Sequence, residues 1–240
     1  MKLGTAAVTA FALVVAPGAA HGQERSRHAL GEFEWLPTSS GVLIAAPHGT
    51  FDANTALIVA QAARQAQTGY LVARRFVVDK VRINVNRPTE GAMLACSHEP
   101  ETGRARDVYA AYSAAVQRAA AGNALRLYVE VHGNSNPDTA QNIEVATVGI
   151  TAAEARAVKN AYAAMLARVR GSVRDFPELA LLVEPLDRIT YTAACAKKLG
   201  ALTVGFAPRA LHFEFPRSAR QGEAIKGAAM LVAEIVRRLL

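Results

Sequence analysis

Short apolar runs alternate along this chain with segments of helical periodicity. An apolar run at 41–47, GVLIAAP, ends at a proline and predicts a buried strand. The segment 53–67 then places apolar residues at helical spacing, and Gly69 is expected to end that helix. YLVARRFVVD, at 70–79, predicts a second strand. These segments together predict a strand–helix–strand unit.

The same alternation continues beyond residue 100. Thr151 and Glu154 form a capping-box signature, TAAE, which predicts the start of a helix running to about Arg170. Strands alternating with helices of this length predict one three-layer α/β/α domain with a mostly parallel or mixed central sheet. Further strands are predicted at 125–133, 143–149, 202–206 and 211–215, and further helices at 104–122, 192–200 and 221–240.

Polar residues follow or close several of the predicted strands. In open α/β sheets, ligands bind beyond the carboxyl ends of the strands, so side chains from distant parts of the chain can meet there. Each of these residues also has an ordinary explanation when taken alone, such as a turn or a helix cap. Their shared placement favours a common site. The residues are His48, Asp52, Asn86, Arg87, His132 and Glu214.

Three of these side chains suit a zinc ion. A catalytic zinc takes three nitrogen or oxygen ligands from the protein and leaves a fourth position for water. His48 and Asp52 come from one short loop, and His132 comes from a distant strand. The alternative for Asp52 is a helix cap, because an aspartate before a helix is a preferred N-cap residue.

Two glutamates complete the predicted chemistry. Glu130 lies two residues before His132, on the same face of its strand, where its carboxylate could orient the imidazole. Glu214 is a carboxylate able to take a proton from water and deliver it to a leaving amine. The alternatives are an ion pair at the surface for Glu130 and a pairing of Glu214 with Arg217 or Arg220.

The remaining residues add one candidate for the site and argue against other kinds of chemistry. His212 is a further candidate for substrate contact, because it lies two before Glu214 on the same strand face. The serines lack the G-x-S-x-G setting of a nucleophile elbow, and no Gly-rich phosphate loop is present. The net charge is +7, but the basic residues are dispersed and aromatic residues make up only 6%. That composition disfavours nucleic acid as a partner and favours attraction to anionic substrates or to an anionic cell envelope.

The first 22 residues have the pattern of a signal peptide. Lys2 supplies a positive charge, an apolar run at 5–15 is too short to span a bilayer, and Ala20 and Gly22 suit a cleavage site before Gln23. We therefore expect the mature domain to comprise residues 23–240 and to be periplasmic or secreted, without a stable membrane anchor. The alternative is an uncleaved anchor. The oligomeric state is left open.

Cys96 and Cys195 are the only two cysteines. In an exported protein, such a pair permits one disulfide. The sequence does not show whether the two residues approach closely enough to be bridged.

Four short motifs, PHGTFD, VNRP, VEVHG and HFEFP, resemble in this order the motifs of the N-formylglutamate amidohydrolase family. The resemblance covers roughly 41–220. It implies a hydrolase fold similar to that of zinc carboxypeptidases and aspartoacylases. The implied roles are zinc binding by His48, Asp52 and His132, binding of a substrate carboxylate by Asn86 and Arg87, and general acid/base catalysis by Glu214.

The chain departs from the family pattern at two points. Zinc carboxypeptidases place the acid three residues after the first histidine, where this chain has Phe51, and Asp52 comes one residue later. The usual PHSG of the family is PHGT here. We predict an exported zinc-dependent enzyme that cleaves an amide in a small peptide or N-acyl amino acid with a free carboxylate. The alternatives are an N-acetylmuramoyl-L-alanine-type cell-wall amidase and a non-catalytic binding protein on the same fold.

Overall fold

The computed structural model describes residues 22–92, 95–203 and 205–240. The predicted signal peptide, apart from Gly22, lies outside the described residues. The strands are β1 (Glu24–His28), β2 (Gly31–Leu36), β3 (Val42–Ala46), β4 (Gly69–Arg74), β5 (Val77–Val78), β6 (Val81–Arg82), β7 (Leu127–Gly133), β8 (Asn142–Val148), β9 (Ala180–Val183) and β10 (Ala210–Phe215). The helices are α1 (Thr55–Ala66), α2 (Gly103–Ala119), α3 (Ala152–Ser172), α4 (Ala194–Leu199) and α5 (Ala224–Arg238).

Eight strands form one mixed sheet in the order β1-β2-β4-β3-β7-β10-β8-β9. Its central strands β4, β3, β7 and β10 pair in parallel, whereas β2 and β8 pair antiparallel with the outer members of this group. Strands β5 and β6 form a separate hairpin. The carboxyl ends of β3, β7 and β10 therefore lie side by side at one edge of the sheet, which is where the predicted site residues follow.

Both faces of the sheet are covered, which confirms the predicted three-layer domain. The period-2 alternation of β3 sends Val42 and Ile44 to one face and Leu43 and Ala45 to the other. The first face packs against α1, α3 and α5, and the second packs against α2 and α4. A strand buried on both sides needs apolar residues at every position, which is why GVLIAAP reads as a continuous apolar run.

One predicted strand is wrong. The described residues of 202–206 form turns after α4 instead of a strand. The amide of Leu202 donates to the carbonyl of Ala196, and the amide of Thr203 donates to Gly200. Leu202 is buried in the core beneath these turns. Its apolar character reflects this packing and not strand pairing.

Two boundaries also differ from the prediction. The strand predicted at 70–79 is interrupted because Arg75 adopts a left-handed backbone conformation, with φ 69°. Helix α1 ends at Ala66, and its C-cap residue Gln67 leaves the helix with φ 54°, before the expected stop at Gly69. Gly69 instead starts β4, where a side chain would lie 2.5 Å from the carbonyl oxygen of Leu36. The glycine serves a close approach of two strands.

Several of the other elements form as the sequence predicts, and some strands were not predicted. The capping box of α3 forms as predicted, since Thr151 and Glu154 each accept a hydrogen bond from the other's backbone amide. Strands β1, β2, β6 and β9 are absent from the predictions made above. Among the described residues, none of the helices combines the length and the apolar composition needed to cross a bilayer.

Candidate active site

The turn after β3 carries the first two site residues. The amide of Asp52 donates to the carbonyl of His48 at 2.8 Å, which closes the turn. The amide of Gly49 donates to Ala73 in β4 at 3.0 Å, and a Cβ at Gly49 would meet that carbonyl at the same distance. The glycine thus lets the turn lie tightly over the neighbouring strand, and both His48 and Asp52 are buried.

Three ligand atoms converge beyond the ends of β3 and β7. Nδ1 of His48 lies 3.1 Å from Nδ1 of His132. Oδ2 of Asp52 lies 3.5 Å from the first nitrogen and 3.2 Å from the second. Tetrahedral ligands at zinc bond lengths of about 2.0–2.2 Å lie roughly 3.3–3.6 Å apart. The three atoms therefore have nearly the spacing of three corners of a zinc tetrahedron, and these residues fit such an ion.

The structure excludes one of the two explanations of Asp52. The N-cap residue of α1 is Asn54, and no side chain caps that helix. The Asp52 carboxylate instead faces both histidines, and Arg82 Nη1 lies 4.0 Å from its other oxygen. Asp52 is not a helix cap.

The charges of the three residues depend on one another. Burial alone raises the pKa of Asp52, but hydrogen bonds with His132 and His48 outweigh it and hold the pKa well below its ordinary value. Burial and the guanidinium of Arg82 lower the pKa of His48 well below its ordinary value. Asp52 is thus an anion and His48 a neutral imidazole, which are the forms that bind metals.

Glu130 lies at the edge of the His132 ring opposite Asp52. Its Oε2 is 3.1 Å from Nε2 of His132, and it also accepts from Nδ2 of Asn86 at 2.9 Å. The hydroxyl of Tyr128 donates to Oε1 at 3.1 Å. Burial lowers the pKa of His132, but its hydrogen bonds with Asp52 and Glu130 outweigh that effect and raise it to about 9. A metal ion therefore competes with a proton at His132.

A second group of side chains, Glu130, His132 and His212, also has ligand atoms close together. Here the carboxylate already has one oxygen that lies 3.1 Å from a ring nitrogen of each imidazole and accepts from Asn86. Its oxygens are satisfied by the protein. Of the two groups, His48, Asp52 and His132 therefore have ligand atoms better able to hold a metal ion.

Glu214 lies in β10, next to His132 in the parallel register with β7. Phe213 and Phe215 point to the opposite face and anchor the strand in the core that it shares with α1, α3 and α5. The Oε1 atom of Glu214 lies 3.4 Å from Nε2 of His212, and Oε2 is buried with no hydrogen-bond partner among the described residues. The carboxylate is not paired with Arg217 or Arg220.

Asn86 and Arg87 lie at the same site, but they are already engaged. Asn86 holds Glu130, as described above. The Nε and Nη2 atoms of Arg87 donate to the two carboxylate oxygens of Glu99 at 2.7 Å each, and Nη1 donates to Asn86 at 3.1 Å. Arg87 still lines the cavity. Its guanidinium is thus held firmly in place, with Glu99 balancing its charge.

Arg220 ties the segments of the site together. Its guanidinium donates to the main-chain carbonyls of Ala53, Asn134 and Phe215, which follow or end the strands β3, β7 and β10. A side chain at Gly133 would lie 2.2 Å from this guanidinium. The glycine after His132 therefore makes room for the arginine that fixes all three loops.

A cavity of about 270 Å³ is lined by His48, Asp52, Arg87, His132 and Glu214. Its wall includes three functional candidates that the sequence analysis missed: Arg82, Asn134 and Tyr191. Arg82 and Asn134 lie four before Asn86 and two after His132, so proximity in sequence could have suggested them. Tyr191 comes from a loop with no motif. The main-chain amides of Thr190 and Tyr191 donate to Glu144 at 2.9 Å, which holds this loop beside the cavity.

Cys96 and Cys195 form a disulfide, with their Cα atoms 4.9 Å apart. Cys195 lines the cavity, and Cys96 lies in the segment that carries Glu99. The bond therefore joins two segments of the cavity wall on the side of Arg87.

No protein-family model and no curated protein sequence matches this chain. Among solved structures, a bacteriophage poly-γ-glutamate hydrolase aligns over 93% of this chain and 91% of its own, with 12% identity and a TM-score of 0.51. This chain has the fold of that hydrolase. The hydrolase fold predicted from the resemblance is confirmed.

Two further structures are similar at lower scores. A metallo-carboxypeptidase from Burkholderia cenocepacia aligns over 89% of this chain and 64% of its own, with 14% identity and a TM-score of 0.46. An N-formylglutamate amidohydrolase from Ralstonia eutropha JMP134 aligns over 87% of this chain and 99% of its own, with 12% identity and a TM-score of 0.45.

Proposed function

We propose that this protein is a metal-dependent hydrolase that cleaves an amide bond in a substrate with a free carboxylate. The observation that carries the proposal is the convergence of His48 Nδ1, His132 Nδ1 and Asp52 Oδ2 within 3.1–3.5 Å, beside the carboxylate of Glu214. We assign zinc binding to these three residues. Two neutral imidazole nitrogens and one carboxylate oxygen form a ligand set that suits zinc.

When bound, a zinc ion supplies Lewis-acid chemistry that polarises a carbonyl and activates water. The protein supplies the proton transfers. Glu214 accepts a proton from the attacking water as the new C–O bond forms, and it returns that proton to the amine nitrogen as the C–N bond breaks. One carboxylate thus serves both steps.

Other side chains bind and orient the substrate in this proposal. Arg82 lies close enough to Asp52 to place its guanidinium beside the carbonyl oxygen of the scissile amide, where negative charge develops. Arg87, with Asn86 orienting it, remains the proposed ligand of the substrate carboxylate. The Nη groups of Arg87 have N–H donors beyond those bound to Glu99 and Asn86.

The substrate class follows from the charge of the cavity. Two arginines and two carboxylates, Asp52 and Glu214, line it. A bound divalent metal would leave the cavity with a positive net charge, which favours an anionic substrate such as an N-acyl glutamate or a γ-linked glutamate oligomer. The bacteriophage hydrolase whose fold this chain shares is named for its action on poly-γ-glutamate. Both compounds present an amide close to a free carboxylate.

We also propose that the mature protein starts at Gln23 and acts in the periplasm or outside the cell. The charged, apolar and small-residue segments within the first 22 residues support this proposal. The Cys96–Cys195 disulfide supports it further, because disulfides persist in oxidising compartments.

Chelation tests the function. The purified protein is assayed with N-formyl-L-glutamate and with γ-linked oligoglutamate, before and after treatment with 1,10-phenanthroline. We expect hydrolysis of at least one compound, its loss on chelation and its recovery on addition of Zn²⁺. Glu214→Gln should lower kcat by at least about 10²-fold and keep the metal. Glu178→Gln, on the exposed surface, is the matched control. Hydrolysis that survives complete metal removal would overturn the proposal.

A further inference from the structure

His212 occupies a position between the two carboxylates of the site. Its Nδ1 lies 3.1 Å from Oε2 of Glu130, and its Nε2 lies 3.4 Å from Oε1 of Glu214. Because an ionised carboxylate only accepts hydrogen bonds, a proton on Nε2 makes His212 a donor to Glu214. With the other oxygen of Glu214 unpartnered among the described residues, this bond is the one side-chain contact there that orients the carboxylate.

The imidazole of His212 is itself held rigidly. Its ring stacks on that of His132, with centroids 4.1 Å apart and an interplanar angle of 25°. It is buried, and Glu130 fixes one edge of the ring while receiving hydrogen bonds from Tyr128 and Asn86. The position of Nε2 is therefore set by the same network that orients the metal-facing His132.

The sequence predicts a substrate contact for His212, whose ring lines the cavity. Both ring nitrogens face carboxylates of the protein, so neither is left for a ligand. We propose that His212 is a positioning residue: it holds Oε1 of Glu214 and so aims the carboxylate at the water and the leaving nitrogen. This inference rests on the hydrolase function proposed above.

Two amide substitutions separate the two edges of the ring. The side-chain amide of glutamine reaches the place of Nε2, and that of asparagine reaches the place of Nδ1. His212→Gln therefore keeps a donor to Glu214 and loses the contact with Glu130, whereas His212→Asn does the reverse. A purely structural role would make the two variants equal or favour asparagine, which keeps the contact with the more deeply buried Glu130.

The test measures kcat, KM and zinc content for the zinc-loaded wild type and both variants, with N-formyl-L-glutamate and γ-linked oligoglutamate as probes. We expect His212→Asn to lower kcat by at least about tenfold with little change in KM, because a misdirected catalytic group loses rate and not binding. His212→Gln should stay within about threefold of wild type. Zinc content should be one per chain in all three proteins. Equal losses, or a greater loss in His212→Gln, would overturn the inference.

Crystal structures of the two variants separate this inference from the proposed function. If the wild type hydrolyses neither probe, the proposed function fails, but the position of the Glu214 carboxylate still tests His212. A carboxylate that turns in His212→Asn and stays in place in His212→Gln supports the positioning role. A carboxylate that is unmoved in His212→Asn overturns it.

Discussion

The Nδ1 atoms of His48 and His132 lie 3.1 Å apart, although 84 positions separate the two residues in the chain. They meet because β3 and β7 are parallel neighbours whose carboxyl ends lie at the same edge of the sheet. Asp52, one turn beyond His48, adds an oxygen to the pair. This relationship is the basis of the zinc assignment, and it shows how an apolar strand followed by a polar turn builds a site.

Glu130 should control metal affinity without binding the metal. It orients His132 through a 3.1 Å contact, and removing such a partner of a metal-binding histidine costs about 10–100-fold in affinity. We expect Glu130→Gln to weaken zinc binding by that factor, measured by competition with a chelator. Tyr128→Phe, which removes one hydrogen bond to Glu130, should have a smaller effect in the same direction. Unchanged affinity in Glu130→Gln would show that the contact is incidental.

Arg87 should discriminate substrates by their carboxylate. A guanidinium offers parallel donors that lysine cannot reproduce, and hydrogen bonds to charged groups contribute about 1.5–3 kcal/mol. We expect Arg87→Lys to reduce kcat/KM on a free-carboxylate substrate by roughly 10–100-fold more than on its amidated form. Arg104→Lys, which alters a similar pair with Glu90 away from the cavity, controls for the loss of an ion pair. Equal losses on the two substrates would remove this role from Arg87.

The disulfide should contribute to stability. Cys96 and Cys195 are 99 positions apart, and closing a loop of this length restricts the unfolded chain. We expect the double variant Cys96→Ser/Cys195→Ser to lose roughly 2–4 kcal/mol of unfolding free energy, measured by urea titration. Wild-type protein unfolded under reducing conditions should have the same unfolding free energy as the double variant, because neither then has the disulfide. A double variant as stable as oxidised wild type would contradict this expectation.

The amino terminus of exported protein tests the predicted processing. Expression of the full chain in a bacterium with signal peptidase should give a mature protein that starts at Gln23, in the periplasm or the medium. Replacing Ala20 by a bulky residue should block cleavage, because the site requires small residues. N-terminal sequencing decides the point. A protein that retains Met1 in the cytoplasm would contradict the prediction.

Much of the site can be predicted from the sequence because the ends of apolar strands can be recognised in it. The run before Pro47 and the motif VEVH mark two strands, and the residues that follow or close them meet in the structure. Long-range pairings could not be predicted in this way. The ion pair between Arg87 and Glu99 joins two irregular segments. Neither segment has a hydrophobic periodicity from which their contact could be predicted.

The missed strands have a similar explanation. Glu24–His28 reads ERSRH and has no apolar alternation, so only its pairing with β2 makes it a strand. By contrast, GEFEWL in β2 does alternate, with Phe33 and Trp35 buried, and its pattern could have been recognised. The segment 202–206 shows the opposite error: an apolar segment whose Leu202 is buried beneath turns resembles a strand when only the hydrophobic pattern is considered.

The most direct test of the account is the zinc content of purified, dialysed protein, measured by mass spectrometry of the metal. We predict one zinc per chain in wild type and in His28→Ala, a control histidine in the β1–β2 hairpin. His48→Ala and His132→Ala should each lose most of the metal, and Asp52→Asn should bind it at least about tenfold more weakly, since the amide keeps the shape and loses the charge. Full zinc occupancy in both histidine variants would contradict the account, because the metal would then lie elsewhere.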